Sequence, residues 1–550
     1  MDKKKTAWLI FLATTVLFLA GLHNLEFTKI DCRFALFVQE FDNHKLGPFP
    51  YLFGKPYCDY PSLHSYLMHM CVMLFKSLNM FTLSLPSALS AGGVMAFTYL
   101  IGAKVSNKLG LLGAILLAAT FEFLCIARAP SPDMIVALVT IVSFYLMYSS
   151  EIEGKFGKLT FLPFLLIFGF AMRGPIGLVI PVGVICAFFL AARRWKMMIL
   201  SGLMCALMLA LCMLLYVSWI YEFGGKELLN QFKEAQVASR MTSGKPIWFY
   251  FTNALGSYSL SYPLALFVLG TYGWIKRKSF FEKVKFDTYG GLLQLLAAWF
   301  LVVVIGMSIP GTKHLRYIVG VIPATALIAA YLFVNPDKFK LFRVIRDVFI
   351  QICRFAPFIL TGLLWIAALV IHMIGLDLKL PVFLPSMVFM VLGIAMIAGP
   401  RKIKSLDKVL FVAALTTAGF LVVKVMVVEP IEQYLESSRA FVAKIETLRK
   451  GNDKVCFFEL GPDGEELKYL VNIPESKHFM PVYANLGKPE KLLTLPKDMI
   501  IIAKESKVDK LPSSVRFNLE QVAAGKLGHK ECLAFKLIDP ARKTQEKTKK

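Results

Sequence analysis

Charge is scarce in this chain. Only 18% of its 550 residues are Asp, Glu, Lys or Arg, while 57% are hydrophobic and the mean hydropathy is +0.61. So thin a polar coat excludes a water-soluble globule, because several apolar runs reach the roughly 20 residues that span hydrocarbon. The composition requires a polytopic membrane protein. No CxxC pair and no Cys/His group at zinc spacing occurs among the ten cysteines, which argues against a structural zinc site. No small-residue cleavage site follows the apolar run after MDKKK, so residues 7–22 are expected to remain as a first span. Acidic residues are the scarcer sign, 37 against 61 Lys and Arg, for a net charge of +24. In a soluble chain that excess would suggest nucleic acid. Here the basic residues cluster between apolar segments, where they act as topology signals, and no nucleic-acid partner is expected.

Apolar runs of roughly 17–25 residues give about thirteen spans, beginning near 7, 84, 109, 132, 158, 175, 197, 248, 289, 315, 352, 380 and 408. Every second connection is basic, from Lys104 and Lys108 through Arg193, Arg194 and Lys196 to PRKIKSLDK at Pro400, and these are expected on the cytoplasmic side with the N-terminus. The apolar stretch 64–75 breaks the alternation and reads as a juxtamembrane or re-entrant helix. After Val428 the composition turns ordinary, with short β runs around one or two helices. The expected fold is therefore an α-helical polytopic membrane protein with a small C-terminal α/β domain outside the cytoplasm. Its divisions are a transmembrane domain 1–428 with a first outward loop 23–83, a soluble domain 429–540, and a polar tail 541–550 expected to be disordered.

The outward connections carry a different chemistry. The first, Asp31–Ser87, holds Asp31, Arg33, Asp59 and His64 among Tyr57, Tyr60 and Tyr66, and isolated charges beside aromatic rings at a membrane edge mark a binding site. Later outward loops add Arg128 and Asp133 in RAPSPD, Arg173 in RGP, Arg240, and Lys313, His314, Arg316 and Tyr317 in SIPGTKHLRY. The cations suit phosphate oxygens, Arg through paired donors. Any one of them could instead reach the lipid headgroups, but their recurrence on the side that should be poor in cations favours a shared anionic ligand. The carboxylates Asp31, Asp59 and Asp133 can accept a proton, orient a nucleophile or hold a divalent cation. For Asp133, capping of the apolar helix that PSPDM begins is an equal alternative. Cys32 with Cys58, and Cys456 with Cys532, share outward compartments where a disulfide or two buried thiols are both open.

With Asp31, Arg33 and Phe34 just after the first span, then Gly54, Tyr57, Asp59, Pro61, Leu63 and Tyr66, the chain resembles the GT-C superfamily of polyprenyl-phosphate-dependent glycosyltransferases. The likeness continues through Leu85-Pro86-Ser87, KLGLLGAILLA from Lys108, Arg128 with Asp133, GPIGLVIP after Arg173, PIWFY ending at Tyr250, and Ser308, Lys313, Tyr317 and Pro323. It is strongest to the branch of the bacterial lipid A aminoarabinose transferase, related to the protein O-mannosyltransferases. The resemblance implies inverting transfer of a sugar from a polyprenyl phosphate to a lipid, glycan or protein acceptor on the outer face of the inner membrane. It assigns Asp31 to the reacting centre and Arg173, Lys313 and Tyr317 to the donor phosphate; the cations of the outward loops add Arg128 and Arg240 as further phosphate holders. This chain departs from the family pattern at Asp31-Cys32 in place of Asp-Glu and at Asp59-Tyr60-Pro61 in place of Glu-Lys-Pro. Gly244 and Lys245 stand where a metal-binding His is expected, so no bound zinc is implied. The rival reading from another class is a transporter or lipid flippase, which more often shows broken mid-membrane helices and internal repeats, whereas the charges here concentrate in the outward loops; a scaffold protein is a third.

Overall fold

In a computed structural model of the chain, residues 2–538 are described except 29, 42–46, 235–243, 278–281, 376–379, 403–406, 450–453, 461–463, 474–481 and 485–487. The long apolar runs form helices, since only a helix satisfies its own backbone in hydrocarbon. Ten described helices are long and apolar enough to cross a membrane, or eleven if the bent pair Asn107–Ala118 and Phe121–Ala127, 73° apart, is one span. The expected thirteen is not reached by that measure, for two reasons. Helix Pro175–Ala191 has 17 residues, and the run from 248 breaks at Ser259, with φ +34°, into Phe249–Ser257 and Ser261–Ile275. The helix Leu63–Phe75 has 13 residues, about 20 Å at 1.5 Å per residue, and is too short for the ~30 Å core.

The chain divides into two compact units: Met1–Leu22, Cys58–Cys71 and Ser84–Pro430 form one, and His23–Tyr57, Val72–Leu83 and Ile431–Lys550 the other. In the first unit, Leu315–Val334 is an interior helix, with 89% of its apolar window buried against Asn107–Ala118 and Ser261–Ile275. Trp195–Lys233 and Lys340–Ile374 are its opposite, with only 6% buried. Apolar windows so exposed are covered by lipid. Where the basic connections begin, Glu153 meets Lys104 and Lys158, Glu151 meets Arg194, and Lys108 lies 2.7 Å from Asp407.

The second unit starts with helix Asp31–Glu40 and a hairpin of β1 (Tyr51–Leu52) and β2 (Lys55–Pro56). Its centre is a sheet of β3 (Val455–Phe458), β4 (Val482–Ala484), β5 (Ile500–Lys504), β6 (Leu519–Leu527) and β7 (Lys530–Leu537), in the order β4-β3-β5-β7-β6. The first three strands are parallel, with Val455 opposite Ile500, and β7 runs antiparallel to β5 and β6. The near-continuous apolar runs VCFF and IIIA are those of central strands covered on both faces. Glu26 ties the segment after the first span into this unit: its carboxylate accepts from Ser437 Oγ and Ser438 N at 2.9 and 3.0 Å, ahead of helix Arg439–Leu448. Helix Asp31–Glu40 packs on helix Glu465–Val471.

Candidate active site

Two sharp turns in the membrane unit bring a carboxylate and a guanidinium together. Helix Leu162–Arg173 ends at Gly174, whose φ of 71° and ψ of −150° suit glycine alone, and Pro175 starts the next helix at once. Gly169 and Gly177 let the two helices cross with backbones touching, since a Cβ on either would overlap the other's carbonyl oxygen. Arg173 is thereby fixed at the crossing, 4% exposed. Opposite it, helix Pro132–Glu153 is capped by Ser131, whose hydroxyl accepts from Asp133 N. Ser131 in turn is held by Ser87, which gives the SLPSAL stretch its part. Asp133 is thus free of the capping duty that PSPDM suggested. Its carboxylate accepts from Arg173 Nε at 2.8 Å and lies 3.7 Å from Arg316 Nε.

Aromatic rings complete the surroundings of Arg173. Its guanidinium carbon stands 4.7 Å from the Tyr60 ring centre and 5.8 Å from that of Tyr317. The Tyr60 stretch is within reach because Pro61 lies beside Gly174. His64, buried at the start of helix Leu63–Phe75, follows it. Beyond Nε, no hydrogen bond to the remaining Arg173 nitrogens is found among the described residues. They are the donors available to a ligand.

The loop 309–316 is stapled from below. Tyr250 and Tyr258 donate their hydroxyls to the carbonyls of His314 and Leu315, at 3.2 and 2.6 Å. Lys313, 1% exposed, gives its ammonium to the carbonyls of Pro310 and Lys245 at 2.6 and 3.1 Å, and Lys245 returns a bond to the Lys313 carbonyl at 2.6 Å. Its role in the described structure is to hold this loop, which departs from the expected direct phosphate contact. His314 also differs from the expected cation. Burial first, and then Arg316, Lys245 and Arg173, lower its pKa below the ordinary 6.5 against the pull of Asp133.

A cavity of about 310 Å³ opens beside this cluster. Its walls come from helices Pro175–Ala191 and Tyr289–Ser308, including Ile176, Val179, Val302 and Met307, and its polar end is Thr312 and Tyr317. An apolar trench whose wall includes Tyr317, the ring 5.8 Å from the buried Arg173 guanidinium, is suited to a lipid with an anionic head.

Other expected residues lie elsewhere. Arg128 donates twice to Glu429, at 2.6 and 2.7 Å, and to the Phe18 and Ala20 carbonyls at the end of the first span, at 2.9 and 3.0 Å. So engaged, it ties three helix ends together and is not placed as a phosphate holder. Asp59 sits in the turn before helix Leu63–Phe75; burial and then its charge push the neighbouring Cys58 thiol up to about 11. In the second unit, Asp31 opens helix Asp31–Glu40, where the helix dipole favours a carboxylate, and Thr28 Oγ1 donates to it at 3.5 Å. Arg33 donates to the Tyr57 hydroxyl at 3.1 Å. Arg240 and the tail 541–550 lie outside the described residues. Among the described residues no group of three His, Cys, Asp or Glu comes together to hold a metal. Sequence reading passed over Tyr258, Glu429 and the exchange between Lys245 and Lys313. A carboxylate directly at the end of an apolar run was the signal for Glu429; bonds to backbone carbonyls leave none.

Residues 59–276 match the family described as dolichyl-phosphate-mannose-protein mannosyltransferase. An uncharacterized protein of Aquifex aeolicus (strain VF5) is 24% identical over 335 residues, which is 60% of this chain and 73% of that protein. Among solved structures, ArnT from Cupriavidus metallidurans bound to undecaprenyl phosphate superposes with a TM-score of 0.68 at 15% identity, covering 96% of this chain and 98% of that one. The same protein in the apo state gives 0.69 at the same identity and coverage. At that identity the likeness shows the fold.

Proposed function

We infer that this multi-pass membrane protein, which resembles the GT-C polyprenyl-phosphate-dependent glycosyltransferases in sequence over 59–276 and in fold over nearly all its length, moves a sugar from a polyprenyl phosphate to an acceptor. The observation that carries this reading is the apolar cavity lined in part by Tyr317, whose ring stands beside the buried Arg173. The prenyl chain lies in the trench and the phosphate meets the guanidinium. As the bond from C1 of the sugar to the phosphate oxygen breaks, negative charge gathers on the leaving group, and a cation already fixed by Asp133 stabilises that charge without reorganising. Attack of an acceptor oxygen on the face opposite the phosphate inverts C1. Asp31 is the proposed base or acceptor orienter, with Asp59 as a second carboxylate; a phosphate acceptor would need neither, being ionised already. The reaction belongs on the outer face of the inner membrane, with the N-terminus cytoplasmic and residues 429–540 periplasmic. The acceptor class is a lipid A-type glycolipid, a glycan or a protein.

The test is release of polyprenyl phosphate by the purified full-length chain given a polyprenyl-phosphate sugar and an envelope extract. Release should fall about 10²–10³-fold in Arg173→Ala, and to a hydroxyl acceptor it should vanish in Asp31→Asn. Transbilayer movement of the donor without any release would replace this reading with that of a flippase.

A further inference from the structure

A second groove in the membrane unit takes no part in the proposed reaction. It holds about 430 Å³ between helices Lys3–Leu19, Met80–Val105 and Pro132–Glu153, within the ~300–1,000 Å³ of ligand sites. Trp8, Phe11, Phe97 and Leu138 wall it, small side chains such as Ala96 leave it open, and Lys4 is part of its lining. Of the basic groups nearby, Lys3 donates to the Ala103 carbonyl at 2.6 Å and Lys104 is paired with Glu153. The ammonium of Lys4 meets no carboxylate or carbonyl among the described residues, and its side chain is exposed. The first helix has only 22% of its apolar window buried, and Trp8 is 65% exposed. The groove therefore opens toward the hydrocarbon, and Lys4 is the basic residue in its lining.

We propose that this groove is a binding site for an anionic phospholipid, one acyl chain lying against Trp8 and Phe97 and the head phosphate on Lys4. Charge selects the occupant: a zwitterionic lipid brings a cation of its own to the lysine, whereas an anionic headgroup brings net negative charge. The site is independent of the sugar-transfer reading, since none of its residues belongs to the cluster around Arg173.

Brominated lipids quench tryptophan fluorescence on contact, and Trp8 is in the groove. The full-length chain is placed in phosphatidylcholine vesicles carrying either brominated phosphatidylglycerol or brominated phosphatidylcholine at equal mole fraction, and the Trp8→Phe variant is subtracted to isolate that ring. Quenching of Trp8 by the glycerol lipid should correspond to about fivefold higher relative affinity, the factor matching roughly 1 kcal/mol per basic residue. The preference should persist in Lys4→Arg and disappear in Lys4→Glu, a change at an exposed position that leaves the fold alone. Equal quenching by both lipids, or a preference that survives Lys4→Glu, overturns the proposal. So does protection of Trp8 from both lipids, which would mean that a protein segment fills the groove.

Discussion

Arg173 and Asp133 neutralise each other inside the membrane unit, and the pair has two separable consequences. Removing the guanidinium leaves Asp133 a buried carboxylate with the Ser131 hydroxyl donating at 3.3 Å and Arg316 3.7 Å away, a loss of about 3–5 kcal/mol in stability for a broken buried pair. It also removes the fixed cation from the leaving phosphate, on the order of 10²–10³ in kcat. Arg173→Lys tells the two apart: it keeps the charge and the fold but loses the paired donors, so its unfolding temperature should stay near that of the parent while polyprenyl phosphate release drops. Equal release by the two would detach Arg173 from the chemistry. His314 gives a prediction in pH. Its folded pKa lies below 6.5, so between those values the unfolded chain binds more protons, and this residue's contribution to stability is lost as pH falls below about 6.5. Being neutral above that value, it adds no cation for the donor, and KM for the lipid-linked sugar should show no inflection from His314 between pH 6.5 and 8 when the parent is compared with His314→Asn. At this scale Asp133 was half legible. PSPDM announced a helix start, but its partner is 40 positions away, a separation that no local pattern reports.

Most helices were readable because an unbroken apolar run in a membrane has one stable backbone solution. The breaks were not. The bend between Ala118 and Phe121 falls in AATFE and the positive φ at Ser259 in LGSYSLSYP; the Gly, three Ser and Pro of the second are turn signals, but a count of apolar length runs straight through them. The crossing at Gly174 was visible as RGP, though not its purpose. Two substitutions test that purpose. Gly177→Leu places a side chain in the Gly169 carbonyl, where backbone meets backbone and cannot move aside; overpacking of this kind costs about 1–3 kcal/mol or more, and thermal unfolding in detergent should begin well below the parent's. Gly174→Ala meets nothing nearer than Pro61 at 3.8 Å, and its cost is the backbone strain of about 1–3 kcal/mol at a glycine-only φ and ψ. The turn relieves that strain by shifting Arg173, so this variant should lose donor turnover out of proportion to its fall in unfolding temperature. A Gly174→Ala enzyme with parental kcat would show that the turn sets stability alone.

Taken whole, the chain announced its membrane class through scarce charge and its change of character after Val428 through returning polarity. It did not announce that residues 23–57 and 72–83 group with 431–550, because the ties are single groups such as Glu26 reaching Ser438 across 412 positions. The cysteines show the same limit of sequence distance as a guide. Cys456 and Cys532 share a domain, which left a disulfide open. In the sheet order they occupy β3 and β7 with β5 between them, roughly 9–10 Å at two strand spacings, beyond the ~7 Å of Cα separation that a disulfide bridges. Both are free and buried, and burial pushes both thiols up to about 12; Cys32 and Cys58 are free and buried as well. Thiolate is the reactive form, so these four should resist iodoacetamide at pH 8 in the folded chain and react only on denaturation. Alkylation after denaturation without reductant should then label all ten cysteines, read as intact mass. A mass short by two labels, with a cross-linked peptide joining the β3 and β7 segments, would require those strands to be neighbours and would exchange the places of β5 and β7 in the sheet.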